Sequence, residues 1–175
     1  MHVGEILTAD CANGEGMRVS VFVSGCTNRC EGCFQPQTWD FSYGRQYDQE
    51  MEDWIIDEVS KPYYHGLTLL GGEPFEPSNQ EVEVGLIRRM KNECPDKNIW
   101  MYTGFVYDRD LVPGGCRYTK DTDEILDSID YLVDGRFVVA EKDITLKFRG
   151  SRNQRIIDVK ETRRQGRIVL SPLNG

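Results

Sequence analysis

Short apolar runs alternate with amphipathic stretches along this chain, and that alternation limits its possible folds more than any other feature. Met17 to Val23 alternates, with Val19, Val21 and Val23 on one face, and reads as the first strand. Residues 49–60 put Met51, Trp54, Ile55 and Val59 on one helical stripe, all expected to be core. Gly66-Leu67-Thr68-Leu69-Leu70 reads as a buried strand closed by Gly71-Gly72. Ser78-x-x-Glu81 is a capping-box signature for a helix carrying Val82, Leu86, Ile87 and Met90, which Cys94-Pro95 ends. Asn98 to Thr103 reads as a strand. Asp121-x-x-Glu124 opens a shorter helix with Ile125, Leu126 and Ile129, followed by a strand at Tyr131-Leu132-Val133. Beyond Phe137 the pattern is less regular, with strand-like pieces at 144–148, 155–159 and 167–170.

Strands joined through helices imply parallel pairing with right-handed crossovers. A closed eight-fold α/β barrel takes about 250 residues, and this chain has 175. The expected fold is therefore α/β: a curved, open partial (β/α) barrel with a mainly parallel sheet, forming a single domain over residues 1–175. No repeat, low-complexity tract or linker-like shift divides it.

The formal net charge of −8 disfavours nucleic acid as a partner, because a phosphate backbone would be repelled. No apolar run reaches the roughly 18 residues of a membrane span. The first ten residues lack the basic and apolar regions of a signal peptide, so a cytoplasmic location is expected.

The chain carries six cysteines. Cys11, Cys94 and Cys116 are scattered and read as packing or incidental thiols, whereas Cys26, Cys30 and Cys33 form a C-x3-C-x2-C run. Without an export signal, bunched cysteines point to metal or catalysis rather than a disulfide framework. Three thiolates can hold three irons of a 4Fe–4S cube and leave the fourth open to a substrate, although four cysteines are the usual complement. The residues by themselves also admit zinc, with Cys11, Cys94, Cys116 or His65 as fourth ligand. The run lies at the C-terminal end of the first strand, the end at which α/β sheets bind ligands. Gly71-Gly72-Glu73-Pro74 follows the next parallel strand and should open on the same side. Its glycines let backbone approach a ligand, and Glu73 offers a carboxylate to a cationic amine.

In this order, at neighbouring strand ends, the two motifs resemble the radical S-adenosylmethionine superfamily. Further segments narrow the resemblance: Asn13-Gly14-Glu15-Gly16, Val21-Phe22-Val23-Ser24-Gly25-Cys26, Cys30-Glu31-Gly32-Cys33-Phe34, Thr38-Trp39 and Leu70-Gly71-Gly72-Glu73-Pro74-Phe75. Tyr102-Thr103-Gly104-Phe105, Leu132-Val133-Asp134-Gly135-Arg136-Phe137 and the run from Phe148 to Asp158 complete the series. Over roughly residues 5–159 the chain is similar to the activating proteins of anaerobic (class III) ribonucleotide reductases. Residues 160–175 carry nothing that belongs to the resemblance.

The resemblance implies cluster ligation by Cys26, Cys30 and Cys33, and S-adenosylmethionine contacts at Gly32, Cys33, Phe34, Gly71, Gly72 and Glu73. Gly32 stands where many superfamily members have an aromatic residue against the adenine, so a backbone contact is expected there, with Phe34 nearby. It further implies reductive cleavage of S-adenosylmethionine and hydrogen abstraction from a glycine of the large reductase subunit. The implied partners are that glycyl-radical subunit and an electron donor such as flavodoxin.

Position adds further candidates. Thr103 and Asp134, at strand ends, can face the cofactor, Asp134 through the ribose hydroxyls. Arg149, Arg152 and Asn153 can meet the cofactor carboxylate or the partner, and Trp39 and Phe41 can shield the cluster. Each also has an ordinary reading as a turn, loop or core residue.

Overall fold

A computed structural model describes residues 1–175, with strands β1 (His2–Asp10), β2 (Arg18–Val23), β3 (Arg45–Gln46), β4 (Gly66–Gly71), β5 (Asn98–Tyr102), β6 (Tyr131–Asp134) and β7 (Arg155–Asp158). The α-helices are α1 (Gln49–Ser60), α2 (Pro77–Glu93), α3 (Tyr107–Asp110), α4 (Thr122–Ser128) and α5 (Val159–Gln165). All strands join one sheet in the order β3-β1-β2-β4-β5-β6-β7. No helix is long and apolar enough to cross a membrane.

The centre of the sheet, β2-β4-β5-β6, is parallel, and its flanks, β3-β1-β2 and β6-β7, are antiparallel. The sheet is thus mixed, where a mainly parallel one was expected. The connections give the reason: a helical crossover returns the chain to the same end of the sheet, whereas the turn after β1 and the helix-poor stretch after β6 do not. The first strand is β1, one earlier than the sequence pattern placed it. Irregular register near Val3/Glu5 and Leu7/Asp10, together with a half-exposed surface, breaks its alternation. The piece at 144–148 forms no strand, and near 167–170 only Leu170 bridges, to Ile157.

Alternation in the parallel strands builds two cores. Val19, Val21, Val23, Leu67, Leu69, Ile99, Met101 and Leu132 pack with the helices in the large cluster. On the opposite face Trp100, Val133 and Ile156 form a smaller cluster with Tyr102, Tyr131, Phe148 and Leu173. Leu173 comes from the tail, where Asn174 bonds the backbone of Ile156 in both directions, at 3.0 Å as acceptor and 2.6 Å as donor. Residues 160–175 therefore add α5 and cover the second face.

At the strands' N-terminal ends, buried Arg18 donates to Thr68 Oγ1 (2.7 Å) and to the carbonyls of Glu15 (3.0 Å) and Leu67 (2.8 Å), with its guanidinium 5.6 Å from the Trp100 ring centroid. That end is plugged, and open space lies at the other.

Two helix details differ from the sequence reading. Helix α2 begins with Pro77 at its first position, where the missing N–H costs nothing, and not with a Ser78 capping box. In α1, Met51, Ile55, Ile56 and Val59 are buried while Trp54 is 45% exposed, because the apolar stripe leans toward Ile56.

Candidate functional site

Four parallel strands end on one side of the sheet, and their ends carry the chemistry noted in the sequence. β2 runs into the cysteine loop, β4 ends at Gly71, β5 is followed by Thr103, and β6 ends at Asp134. A cavity of about 530 Å³ opens there, lined by Cys26, Cys30, Cys33, Gly71, Gly72 and Glu73, with Phe22, Leu70, Tyr102 and Phe148 among its apolar walls. Its size lies within the usual range of small-molecule sites, roughly 300–1,000 Å³.

All six cysteines are free, so the three in the loop are available as ligands. Backbone N–H groups face each sulfur of the run: those of Asn28 and Arg29 at Cys26, that of Phe137 at Cys30, and that of Gln35 at Cys33, 3.4 Å away. Such donors stabilise thiolates and tune cluster potentials. Burial nevertheless pushes the Cys26 thiol up to about 11, with the Glu73 charge adding to the shift, and raises Cys30 as well. No three His, Cys, Asp or Glu side chains gather closely enough to hold one ion. Ligands of a four-iron cube meet different irons and stand farther apart than ligands of a single ion. The donor set fits a cube: three free thiols on one cavity, each facing backbone N–H.

The turn after β4 is bonded directly to the cysteine loop. Gly72 N donates to Val23 O (2.7 Å) and Glu73 N to Gly25 O (2.8 Å). Gly71 has φ +111, and a Cβ on Gly72 would lie 2.7 Å from Gly25 O and 2.9 Å from Thr38 O, so neither position admits a side chain without strain. Gly32 has φ +70, and a Cβ there would meet Val139 Cγ2 at 2.6 Å.

Glu73 is fully buried and accepts four hydrogen bonds. Oε1 receives Phe75 N (2.9 Å) and Thr103 Oγ1 (2.7 Å), and Oε2 receives Asn28 Nδ2 (3.0 Å) and Gly104 N (2.8 Å). Burial pushes its carboxyl up to about 7, against the pull of those donors. Three residues after Glu73, Glu76 Oε1 accepts both the N–H (2.8 Å) and the hydroxyl (2.6 Å) of Thr27. Two glutamates of one turn thus hold adjacent residues of the cysteine loop. Asn79 ties the same elements, donating at 3.0 Å to both Ser24 O and Glu73 O. Sequence reasoning passed over Thr27, Asn28, Glu76 and Asn79. Their only signal was nearness to the two motifs, which does not separate a tether from a loop residue.

The other candidates divide. Thr103 lines the cavity, but its hydroxyl is engaged by Glu73, so it orients that carboxylate. Asp134 faces away from this cavity into a neighbouring polar one, where it accepts from Tyr107 N (2.8 Å) and from Arg155 Nε (2.9 Å) and Nη2 (2.5 Å). Asp134 continues the helix-facing side of Leu132, so a ribose contact through its carboxylate has no support in this arrangement. Phe34 lines the cavity with its ring 5.1 Å from that of Phe137. Arg149 also lines it, with a buried Nε that has no partner, whereas Arg152 is exposed on Asp143 and Asn153 donates to Arg136 O. Trp39 lies between this cavity and a second one that holds Phe41. His65 Nδ1 accepts from Met17 N (3.2 Å), remote from the cysteines in the fold.

A family model described as a 4Fe-4S single cluster domain matches residues 12–157. A protein of Vibrio cholerae named anaerobic ribonucleoside-triphosphate reductase-activating protein is 39% identical over 156 residues, covering 88% of this chain and 96% of its own. Proteins of the same name from Haemophilus influenzae (42% over 147 residues; 83% and 90% covered) and Enterobacteria phage T4 (35% over 158; 89% and 93%) are similar along nearly their whole lengths. The similarity takes in the cysteine loop, the glutamate turn and the strands that carry them. The chain belongs to the family of anaerobic ribonucleoside-triphosphate reductase-activating proteins.

Proposed function

We propose that this chain is a glycyl-radical-generating activase for an anaerobic ribonucleoside-triphosphate reductase. In this reading Cys26, Cys30 and Cys33 would hold a 4Fe–4S cluster and leave one iron open to S-adenosylmethionine. The observation that carries it is the meeting of three free thiols and the Gly71-Gly72-Glu73 turn on one cavity. When bound, the reduced cluster supplies the electron that breaks the sulfonium's bond to the 5′ carbon, releasing methionine and enabling removal of a hydrogen atom from a glycine of the reductase.

The chain's own residues bind and orient. Backbone N–H groups of residues 28, 29, 35 and 137 face the ligand sulfurs. Gly71 and Gly72 let backbone approach the cofactor, and Glu73 attracts its ammonium. All four lone-pair positions of Glu73 are filled, so direct contact requires one donor to yield. Asn28 Nδ2, the longest of the four at 3.0 Å, is the one to give way. Arg149, held by the carbonyls of Gln154 (3.0 Å) and Asn174 (2.6 Å), fixes the cavity wall on its side. Phe22, Leu70, Tyr102 and Phe148 exclude water around the apolar part. The sheet acts as the wall of an open partial barrel, which leaves a path for a loop of the reductase. The electron for that chemistry would come from an external donor such as flavodoxin.

Anaerobic reconstitution with iron and sulfide, then mixing with reductant, S-adenosylmethionine and the reductase, tests the reading. A brown protein that releases 5′-deoxyadenosine and raises a glycyl electron-paramagnetic-resonance signal on the reductase is expected, with colour lost on Cys26→Ala, Cys30→Ala or Cys33→Ala. A colourless protein holding one tight zinc ion would overturn it. Cofactor cleavage without any glycyl signal would sink the assignment of the target.

A further inference from the structure

Charge is unevenly spread along this acidic chain. Residues 1–134 contain eleven Lys and Arg against twenty-five Asp and Glu, whereas residues 135–175 contain ten against four. Part of that basic excess gathers on the segment 136–152, which closes over the cysteine loop. Phe137, Leu146, Phe148, Arg149 and Gly150 of this segment line the cluster cavity. Its outer side is solvent-facing: Lys142 and Lys147 are exposed and enter no ion pair, while nearby Arg152 is neutralised by Asp143 at 3.0 Å. Lys142 Nζ stands 5.3 Å from the ring centroid of Phe34, across the mouth. Between the lysines Ile144 is 90% exposed, with Phe34 (66%) and Val139 (45%) beside the same opening.

We propose that Lys142, Ile144 and Lys147, with Phe34 and Val139, form the docking surface for the reductase segment that carries the target glycine, and that this segment presents acidic and apolar side chains. The inference rests on the activase reading and adds to it the location and chemistry of the partner contact. Free cations around exposed apolar side chains match the polar rim and apolar centre of a transient protein interface. They also steer an acidic partner, which matters for a chain whose overall charge would repel one. The rim is held in shape beforehand, which lowers the ordering cost of association. Asp143 accepts the N–H (2.9 Å) and hydroxyl (2.6 Å) of Thr145, Tyr102 OH donates to Phe148 O (3.0 Å), and Gln154 Oε1 receives Gly150 N (2.9 Å). A two-fold pair with a second copy of this chain fits less well, because it would set like charges together.

The test compares the unaltered reconstituted protein, Lys142→Glu/Lys147→Glu and Ile144→Ser. Arg167→Glu serves as control, exposed beyond α5 at the far end of the sheet. Three quantities are read: the dissociation constant for the reductase at two salt concentrations, the glycyl-radical yield at limiting activase, and reductant-driven 5′-deoxyadenosine release without reductase. The charge reversal should weaken reductase binding roughly tenfold or more, and lessen its salt dependence. Ile144→Ser should weaken binding without changing the salt dependence. Partner-free release should stay unchanged in both, which also certifies a folded, loaded protein, and Arg167→Glu should bind normally. Unchanged reductase affinity in the Lys142/Lys147 variant would overturn the docking surface and leave the activase reading intact. Loss of electron-donor coupling or of self-association alone would also overturn it, assigning the rim to another occupant. Failure of the unaltered protein to raise any glycyl radical would overturn the activase reading, and the docking surface with it.

Discussion

Glu73 carries an unusual combination for a carboxylate: complete burial together with four hydrogen-bond donors and no cation. Burial dominates, and the group sits near 7 instead of its ordinary value of 4.5. Because the folded value lies above the unfolded one, Glu73 favours the fold below about pH 4.5, and this contribution is lost as pH rises through about 7. An ammonium ligand reverses the preference by favouring the ionised form. Binding of S-adenosylmethionine should therefore tighten as pH rises through about 7 and release a proton below it. Calorimetry in buffers of different ionisation enthalpy measures that proton, and Glu73→Gln should abolish both effects. Glu83 is the opposite case. It is fully buried on α2 with neither oxygen bonded, and burial holds it well above the carboxylate range, with Glu73 adding to the shift. Glu83→Met should stabilise the protein by about 1–3 kcal/mol. The gain should widen as pH rises above the ordinary carboxylate value of 4.5, where the unfolded carboxyl ionises and burial disfavours ionisation of the folded one. Urea denaturation at a series of pH values above 4.5 checks the sign. At this scale the three cysteines and Glu73 were legible because motif spacing marks them. Asn28 and Glu76 were not, since their importance lies in which partner they meet across the fold. Asp134 could have been placed: Leu132 belongs to the helix-facing side, and a residue two positions on shares it.

The β4–α2 turn and the cysteine loop behave as one unit because backbone bonds backbone between them. Gly72 is the tightest point of the junction, with three carbonyl oxygens, of Gly25, Thr38 and Val23, within 3.0 Å of where a Cβ would stand. Gly72→Ala should force the loop outward at a cost of about 1–3 kcal/mol. The expected result is a clear fall in iron and sulfide bound per chain, with far-ultraviolet circular dichroism unchanged. Normal iron content would refute the coupling. Among elements, the parallel strands were readable because burial on both faces makes them short apolar runs. β1 was hidden by its irregular register and half-exposed surface, and the piece at 144–148 misled because its apolar residues serve the cavity and the exposed rim.

Across the whole molecule the sheet has one closed end and one open end. Arg18 closes the first, its charge met by carbonyls and Thr68 Oγ1 rather than by a carboxylate, and burial lowers it to about 10. Arg18→Met should leave those acceptors without their donors, cost about 3 kcal/mol and lower the melting temperature by roughly 6–12 °C. An unchanged melting temperature would show that the plug is dispensable. The sequence by itself determined the alternation of strands and helices, the cysteine run and the family, since these follow from local periodicity and from residues close together in the chain. Tertiary structure alone decided the mixed sheet, the diversion of Asp134 to Arg155, the tethering of the cysteine loop by Glu73 and Glu76, and the closing of the second face by the tail. The physical reason is range: propensity and spacing act over a few residues, whereas a buried carboxylate or a strand edge takes the partner that the folded chain brings to it.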